Sequence, residues 1–424
     1  MDAQPGGYDY SLEGDLRSFL FDQGNYQKQT RPETVVQVNL SFSILTFNAL
    51  DVRNQVLTTT GYFNVIWEDE RVSWNKEDKY DSVRLIYADE AVVWRPPLII
   101  DNSVSDISVM SDEAIPIRCS MRGLMIWSPS GIYKTMCETD VTFYPFDTQT
   151  CDISISTWGY TDNEIALGIT DSEDPLDMDL YRRNGEWEYV SYSVSAYIRG
   201  RSKQTFPTIN YQVKLRRRPM YHVLNTLTPT ILLAFLSCIT FKLPPESGER
   251  IGYSLTVLLS YAVYLSLVSE HIPRTSVTTS LLSMYLLFIL ALGMISVLLT
   301  IVVLDCHHAD EEKEVSTRVM KTANVLMTIT FNRKKDHPPL CCHRRVRNKN
   351  RKGSNGTLTE PAGNLDKDMK AFEYVKEKRP ALHDATWKEI GRILDVCFLR
   401  IFLFVVISVT IGFLVTLGIG YTLE

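Results

Sequence analysis

Seven side chains in the second half of the chain recur at steps of three and four residues, which places them on one face of a helix. They are Glu249, Gly252, Thr256, Leu259, Val263, Ser266 and Glu270. Carboxylates at both ends of such a face attract cations and repel anions, whereas rings of Leu and Val side chains expel water. If copies of the helix enclose a water column, the face is suited to admitting cations through a constriction at Leu259 and Val263. The same spacing also fits one amphipathic helix packed inside a bundle, with Thr256 bonded to its own backbone.

Between its two terminal glutamates, this helix contains one of four long stretches without Asp, Glu, Lys or Arg. The stretches are 221–241, 251–269, 275–304 and 401–423. About 20 residues at a rise of 1.5 Å per residue span the roughly 30 Å hydrocarbon layer of a bilayer. We therefore predict four membrane spans and not four core helices of a soluble domain.

The average composition hides separate blocks of charge. The 424 residues carry a net charge of -6, yet residues 1–218 carry -11, residues 219–304 are neutral and residues 305–395 carry +5. Basic segments near membrane ends stay in the cytoplasm, so 305–395 is predicted to be cytoplasmic and both termini extracellular. The start of the chain is polar and Gly-rich and not leader-like, so we expect that a secretory leader has been removed or replaced.

The residues before the first span alternate short β-rich runs with turn signals, a pattern typical of an antiparallel, immunoglobulin-like β-sandwich. The runs lie at 35–45, 55–67, 83–87, 151–158 and 189–198. A short amphipathic helix, Ser11–Gln23 with Ser11 as N-cap, precedes them. Residues 351–364 predict a disordered linker, and 366–395 predict a helix leading into the fourth span. The prediction is a multi-domain membrane protein, with a sandwich, a four-helix transmembrane bundle and a cytoplasmic loop and helix. Its domains are 1–218, 219–304 with three spans, 305–395 and 396–424.

The most specific motif is a pair of cysteines enclosing Tyr144-Pro145-Phe146-Asp147. Cys137 to Cys151 reads CETDVTFYPFDTQTC, Trp158 follows seven residues later, and the first span begins about 70 residues after Cys151. This pattern resembles the signature loop of the Cys-loop receptors, the pentameric ligand-gated ion channels. Further matches are NQVLTT at 54–59, WRP at 94–96, GEW at 185–187, RRRP at 216–219 and LPPESGER at 243–250. The chain is most similar to the cation-conducting nicotinic and serotonin-type branch.

The resemblance implies a homopentameric, ligand-gated cation channel with a Cys137–Cys151 disulfide, in which Glu249 stands at the selectivity position and Leu259 at the gate. A bridge of this loop length stabilises a fold by roughly 3 kcal/mol. The bond between Tyr144 and Pro145 is a candidate cis peptide, with an ordinary trans turn as the alternative. The alternative function within the family is a non-conducting or accessory subunit that needs other subunits.

The implied partners are a small-molecule agonist, membrane lipids and permeant Na⁺ and K⁺, with Ca²⁺ permeability left open by Gly252. Nothing in the sequence calls for a cofactor or nucleic acid. No nucleophile motif, metal-ligand spacing, phosphate-binding loop or intramembrane charge pair supports an enzyme or a transporter. Adjacent Cys341 and Cys342 fit either a free cytoplasmic pair or a metal or palmitoylation site.

Ligands of this family bind between two extracellular domains, in a box of aromatic side chains. Matching by motif gives a principal face of Trp158, Tyr197, Phe206 and Asp101, and a complementary face of Tyr62, Met125 and Trp127. Because electron-rich rings attract ammonium groups, we hypothesise an amine or an amphiphile as the agonist, although any of these aromatics also fits a sandwich core. The hairpin YIRGRSKQTF lacks the adjacent cysteines of nicotinic α subunits, and Asp101 and Tyr62 replace the family's Tyr and Trp. The basic residues Arg199, Arg201 and Lys203 favour instead an anionic or zwitterionic ligand.

Coupling to the spans is expected through the loop tip (Tyr144, Pro145, Phe146, Asp147), the turn at Asp51, the arginines ending at Arg218 and the linker containing Pro273. Val52 stands where relatives carry Glu, so the ion pair expected with Arg218 is missing or moved to Asp51 or Asp147. The three arginines also fit an anchor to lipid headgroups. Asn39 begins an extracellular glycosylation sequon, whereas the sequon at Asn355 lies in the cytoplasmic loop.

Overall fold

The structure is a computed structural model that describes residues 9–23, 26–170, 174–270, 272, 279–309 and 387–423, with 319, 322–323 and 325–326. The predicted linker, Pro273, Cys341, Cys342, Asn355 and most of the predicted cytoplasmic helix lie outside the described residues. The chain divides into two compact units. The first comprises Met1–Thr228, Ser266–Met284 and Leu414–Glu424, and the second comprises Pro229–Leu265 and Tyr285–Phe413.

The first unit begins with helix α1 (Tyr10–Arg17), which continues as one π-helical stretch over Ser18–Gln23. The predicted N-cap Ser11 is wrong, because Asp9 caps the helix. The Asp9 carboxylate accepts from the backbone N–H groups of Ser11 (3.0 Å) and Leu12 (3.3 Å). A carboxylate in this position satisfies otherwise unpaired N–H groups of the first turn.

Two β-sheets follow in the first unit. Their strands are β1 Val36–Asp51, β2 Val56–Glu68, β3 Leu85–Ala88, β4 Leu98–Ile100, β5 Ile117–Ser120, β6 Leu124–Trp127, β7 Ser130–Met136, β8 Thr148–Thr157, β9 Ile165–Ile169, β10 Leu176–Asp177, β11 Trp187–Arg201 and β12 Gln204–Arg217. One sheet runs β10-β1-β2-β6-β5-β3, with β7 also on β2 and β9 also on β1, and the other runs β11-β12-β8-β4.

The predicted sandwich is confirmed, but its sheets are not purely antiparallel. Strand β1 pairs in parallel with β9, from Val36 opposite Ile165, and with β10. Both strands follow β8 of the other sheet, so the chain reaches the edge of the first sheet by a crossover and enters in the direction of β1. The five predicted strand runs coincide with β1, β2, β3, β8 and β11.

Alternation of buried and exposed residues fixes which side chains enter the sandwich core. Strand β2 alternates along nearly its whole length, which buries Phe63 and leaves Tyr62 half-exposed. Phe63 stacks on Phe42 at 4.1 Å between ring centroids, and the rings of Tyr133 and Tyr211 meet Phe42 edge-on. A period of two is the physical signature of a sheet with one face buried.

Among the described residues, four helices are long and apolar enough to cross a membrane, as predicted. They are the first span Met220–Lys242, the second span Arg250–Ser269, the third span Leu281–His308 and the fourth span Trp387–Thr422. The fourth helix starts at Trp387, well before residue 401, so the described end of the helical segment expected ahead of the span, residues 387–395, runs into it without a break. The charges of this amino-terminal part do not end the helix, because charged residues such as Arg and Glu are good helix formers.

Tyrosine and phenylalanine side chains join the spans within the second unit. The hydroxyl of Tyr261 in the second span donates to the carbonyl oxygen of Thr230 in the first span at 2.9 Å. Tyr285 in the third span stacks on Phe413 of the fourth at 4.5 Å between ring centroids. The Tyr285 hydroxyl is hydrogen-bonded to the Thr410 hydroxyl at 3.0 Å, so both tyrosine hydroxyls have a partner in this low-dielectric interior.

Candidate functional site

The predicted principal face lies where β11 and β12 form a hairpin beside the ends of β8 and β4. The register places Arg199 opposite Phe206 and Arg201 opposite Gln204. Trp158 follows β8, and its backbone N–H donates to the Pro97 carbonyl oxygen at 2.8 Å. We call Asp101, Trp158, Arg199, Arg201 and Phe206 the hairpin face.

The structure brings the members of the hairpin face together around one guanidinium group. The Arg201 guanidinium carbon lies 5.4 Å from the ring centroid of Trp158 and 5.0 Å from that of Phe206. Both distances are within the range of cation–π attraction. The Trp158 side chain is 48% exposed, whereas Phe206 is buried. The ring faces assigned to a ligand's ammonium group therefore contact a cation of the chain itself.

Asp101 binds the two arginines of the hairpin. One carboxylate oxygen accepts from Nη1 of Arg199 and the other from Nη2 of Arg201. Its backbone N–H donates to the Ser154 carbonyl oxygen at 2.8 Å, which fixes the carboxylate at the end of β4. The acid that replaces the family's Tyr thus neutralises a nearby positive charge. Tyr197, also assigned to this face, is 42% exposed on β11.

The complementary face is less complete than the sequence predicted. Tyr62 is half-exposed on β2. Met125 and Trp127 are fully buried in β6, and the Arg95 guanidinium carbon lies 5.0 Å from the Trp127 ring centroid. Their burial means that these two side chains contribute no ligand-accessible surface. Alternation along β6 turns Leu124 and Ile126, both partly exposed, to the other side.

The loop between the cysteines has the predicted covalent features. Cys137 and Cys151 form the disulfide, with their Cα atoms 4.9 Å apart, and the peptide bond between Tyr144 and Pro145 is cis. The backbone carbonyl of Thr142 accepts from the N–H of Leu281 at 3.1 Å. The four other cysteines within the described residues, Cys119, Cys238, Cys306 and Cys397, form no disulfide and are buried.

A buried arginine anchors the tip of this loop, and it is Arg217. Its Nε and Nη2 donate to the Asp147 carboxylate at 2.8 and 3.1 Å, and its Nη1 donates to Glu186 at 2.7 Å. The guanidinium carbon lies 4.2 Å from the ring centroid of Trp187 and 5.1 Å from that of Tyr144. The Arg217 side chain is only 3% exposed and that of Asp147 1%. We call these five residues the loop-tip cluster.

Arg217, and not its neighbour Arg218, makes the ion pair with the loop tip. Arg218 is exposed, and its backbone N–H donates to the Glu186 carbonyl oxygen at 2.7 Å. Of the two acids that were expected to receive a relocated pair, Asp147 pairs with Arg217, whereas Asp51 accepts from the backbone N–H of Asn54 within its own turn at 2.9 Å. Alternation along β12 contained the missing signal, since a strand that buries Tyr211, Val213 and Leu215 also points residue 217 inward.

The loop-tip cluster extends to His222 at the start of the first span. The Tyr144 hydroxyl and Nδ1 of His222 are hydrogen-bonded at 2.8 Å, and Nε2 of His222 lies 3.7 Å from a Glu186 carboxylate oxygen. The nearby His222 ring lowers the pKa of Glu186, the positive charge of Arg217 lowers it further, and partial burial opposes both. Glu186 therefore stays ionised at neutral pH.

All seven residues of the predicted polar face of the second span are exposed in the single chain. Leu259 is 64% exposed and Val263 is 53% exposed, although both are apolar. The opposite side packs inward through Ser254, Val257 and Tyr261. The Thr256 hydroxyl donates to the Gly252 carbonyl oxygen at 2.8 Å, as the alternative interpretation expected, and the hydroxyl oxygen remains on the exposed face.

A buried ion pair beside this face was not predicted. Arg250 is fully buried at the start of the second span, and its Nη1 donates to the Asp395 carboxylate at 3.0 Å. Asp395 was assigned to the cytoplasmic segment, and no charge pair was expected within the spans. Because the fourth helix begins at Trp387, Asp395 belongs to that helix and its pairing to Arg250 joins it to the second span.

Two remaining features are outside these clusters. Asn39, the predicted glycosylation residue, is exposed on β1. Within the described ranges, no three His, Cys, Asp or Glu side chains lie together as a metal site requires.

Comparisons with known proteins agree with the architecture. Residues 13–219 match the family model of the neurotransmitter-gated ion-channel ligand binding domain, and residues 226–383 match that of the neurotransmitter-gated ion-channel transmembrane region. The chain is 32% identical over 311 residues to the neuronal acetylcholine receptor subunit alpha-2 of Gallus gallus, a match covering 72% of this chain and 57% of the relative.

Other relatives have similar names. The acetylcholine receptor subunit delta of Xenopus laevis is 30% identical over 325 residues, covering 72% of this chain and 61% of the relative. The neuronal acetylcholine receptor subunit alpha-5 of Homo sapiens is 28% identical over 420 residues, covering 95% of this chain and 86% of the relative. The matches to the first two relatives span less than two thirds of their length. The relatives named above are of the nicotinic branch, and members of the family are membrane receptors and not enzymes. Because both parts of the chain match models of one family, the chain belongs to the neurotransmitter-gated ion channels, the Cys-loop receptors.

Proposed function

We propose that five copies of this chain form a plasma-membrane channel that conducts cations when a ligand binds at the hairpin face. The observation that carries the proposal is the exposed face of the second span. A single chain leaves Leu259 and Val263 more than half exposed between two exposed carboxylates, Glu249 and Glu270. Burial in lipid would leave the carboxylates without a favourable environment, whereas a shared water column solvates them.

The two carboxylates give the pore its proposed selectivity. Five copies of Glu249 and of Glu270 make two rings of negative charge, which raise the local concentration of cations at each mouth. The acidic sandwich, with a net charge of -11 over residues 1–218, also raises the local concentration of cations if it lies outside the cell. Placing both termini outside follows from the basic 305–395 segment, which the positive-inside rule assigns to the cytoplasm.

Gating in this proposal is a shift between two populations of the channel. A ligand that binds the open form more tightly moves the equilibrium toward it. The hairpin closes over Trp158, the loop-tip cluster transmits the movement of the sheets, and the second-span helices move so that water fills the constriction at Leu259. The loop tip is suited to this role because its anchor, Arg217, is buried and held by two carboxylates.

Reversal potentials test the cation assignment. The chain is expressed alone and external NaCl is diluted tenfold, which shifts the reversal potential of an ideally cation-selective pore by about -59 mV. Glu249→Gln and Glu270→Gln are expected to reduce the size of this shift. Glu246→Gln is the matched control, because Glu246 is an exposed acid that lies outside the seven-residue face. A wild-type shift toward positive potentials would make the pore anion-selective and overturn the assignment.

The same recordings address the alternative of an accessory subunit. Two observations favour that alternative: Gly252 replaces the hydroxyl residue of cationic relatives, and Arg201 covers the aromatic rings of the hairpin face. If the chain reaches the cell surface as a pentamer but passes no current alone, and passes current when a related subunit is added, the homomeric channel is ruled out.

A further inference from the structure

The aromatic rings of the hairpin face already have a cationic partner. Arg201 lies over both Trp158 and Phe206, at 5.4 and 5.0 Å from the ring centroids, and is held there by Asp101. A ligand ammonium group would have to displace this guanidinium from both rings and from the carboxylate. Since cation–π attraction and a charge-assisted hydrogen bond are lost together, such displacement is unfavourable.

The charges around the face also favour an anion. Arg199, Arg201 and Lys203 bring three positive charges to the hairpin, and Asp101 and Asp162 bring two negative ones. Asp162 is engaged by Thr205, whose hydroxyl donates to its carboxylate at 2.6 Å. The balance at the hairpin is positive, in contrast to the acidic sandwich around it. An approaching ammonium group is repelled by this balance and a carboxylate is attracted.

The two guanidinium groups retain capacity for a second carboxylate. Each carries five N–H donors, and the described hydrogen bonds of Arg199 and Arg201 each use one nitrogen, on Asp101. Their side chains are 53% and 33% exposed, so these donors are accessible from solvent. The planar fork of a guanidinium matches the geometry of a carboxylate. Stacking on Trp158 and Phe206 restricts the orientation of Arg201 before any ligand arrives.

We propose that the hairpin face recognises its ligand through a carboxylate group, with Arg199 and Arg201 as the residues that bind it. The inference rests on the proposed function only in taking the hairpin face as the ligand site. The Arg201 guanidinium then occupies the place over the Trp158 and Phe206 rings that an ammonium group of the ligand would otherwise take. The ligand is then an anion or a zwitterion, such as an amino acid, and not a simple amine.

Glycine betaine and choline form a matched pair of probes. Both carry a trimethylammonium group, but the first bears a carboxylate where the second bears a hydroxymethyl group. Binding of each to the full chain in lipid nanodiscs is measured by calorimetry, which does not depend on conduction. We expect glycine betaine to bind about tenfold or more tightly than choline, because a hydrogen bond between charged groups contributes a factor of this order.

Variants at Arg201 separate charge from geometry. Arg201→Gln is expected to lower the affinity for glycine betaine by a factor of about ten or more. The affinity for choline should stay the same or rise, because the rings lose their guanidinium partner. Arg201→Lys keeps the charge but not the fork, so its glycine betaine affinity should be intermediate. Arg118→Gln is the control, since Arg118 is an exposed arginine on β5 of the other sheet and its loss should change neither affinity.

Three results would overturn the inference. The first is choline binding as tightly as glycine betaine, or more tightly, in the wild-type chain. The second is glycine betaine binding that survives both Arg199→Gln and Arg201→Gln. The third is binding of neither probe to the wild type together with choline binding to Arg201→Gln, which would make Arg201 an internal blocker of an amine site. Carboxylate-dependent binding without any current would support this inference and count against the proposed channel. A cation current evoked by choline and not by glycine betaine would support the channel and count against this inference.

Discussion

Loss of Arg217 should destabilise the first unit more than loss of any exposed charge. The change is Arg217→Met, which keeps much of the side-chain length but removes the guanidinium. Asp147 is 1% exposed and would be left as a buried carboxylate with the amide of Gln149, at 2.6 Å, as its remaining described partner. Breaking a buried ion pair by removing one partner costs about 3–5 kcal/mol.

The magnitude converts to a measurable change in melting temperature. For a unit of this size, 1 kcal/mol corresponds to a shift of about 2–4 °C, so Arg217→Met should lower the transition by about 6–20 °C. Thermal unfolding of the full chain in nanodiscs is followed by tryptophan fluorescence, to which Trp187 contributes directly beneath the guanidinium. The matched control is Glu186→Gln, because Glu186 is 50% exposed. Its loss should cost less than about 1 kcal/mol.

A double variant checks that the cost arises from the unpaired acid. Asp147→Asn combined with Arg217→Met removes both charges. The double variant should therefore lose less stability than the sum of the losses in the two single variants. The reasoning fails if Arg217→Met melts within the error of the wild type, if Glu186→Gln costs as much, or if the two single effects simply add.

Three further predictions concern packing, reactivity and pH. Gly61→Ala should lower stability by about 1–3 kcal/mol, because the added Cβ would lie 2.4 Å from the Ser43 carbonyl oxygen, whereas Gly185→Ala meets no atom within 4 Å; equal melting temperatures for the two variants would refute this. Burial raises the pKa of Cys119 to about 12, so iodoacetamide at pH 8 should label this thiol only in unfolded protein. Detection of labelled Cys119 in native protein by mass spectrometry would contradict this prediction. The lowered pKa of Glu186 means that its contribution to stability is complete above its ordinary pKa of 4.5 and is lost as the pH falls through the folded value. The difference in melting temperature between wild type and Glu186→Gln should accordingly shrink below pH 4.5, and a pH-independent difference would count against the role of the carboxylate.

Sequence patterns predicted the features that depend on local chemistry. The four spans follow from charge-free length, the strands β1, β2, β3, β8 and β11 from β-rich runs, and the second-span face from its helical period. Each of these signals is contained in one continuous window of at most 30 residues. The disulfide and the cis Tyr144–Pro145 bond came from the resemblance to a family.

Pairings between distant residues could not be read in the same way. Asp395 binds Arg250 across 145 positions, and Arg201 binds Asp101 across 100. Such contacts depend on how elements pack, which no local window contains. The choice between Arg217 and Arg218 was different, since strand alternation alone favoured Arg217. The burial of Trp127 likewise follows from alternation in a strand too short to be recognised by its pattern.

The most direct test of the central claim is a leak current through the Leu259 constriction, because it needs no agonist. Leu259→Ser replaces the apolar ring by hydroxyl groups that hold water, so cells expressing the variant should pass a standing current in the absence of ligand. Tenfold dilution of external NaCl should shift its reversal potential negative, toward about -59 mV. Leu258→Ser is the control, since Leu258 is half-buried and packs toward Gly293 of the third span. A standing cation current from Leu259→Ser alone is the predicted result, whereas no current, a positive shift, or an equal current from Leu258→Ser would contradict a cation pore lined by this face.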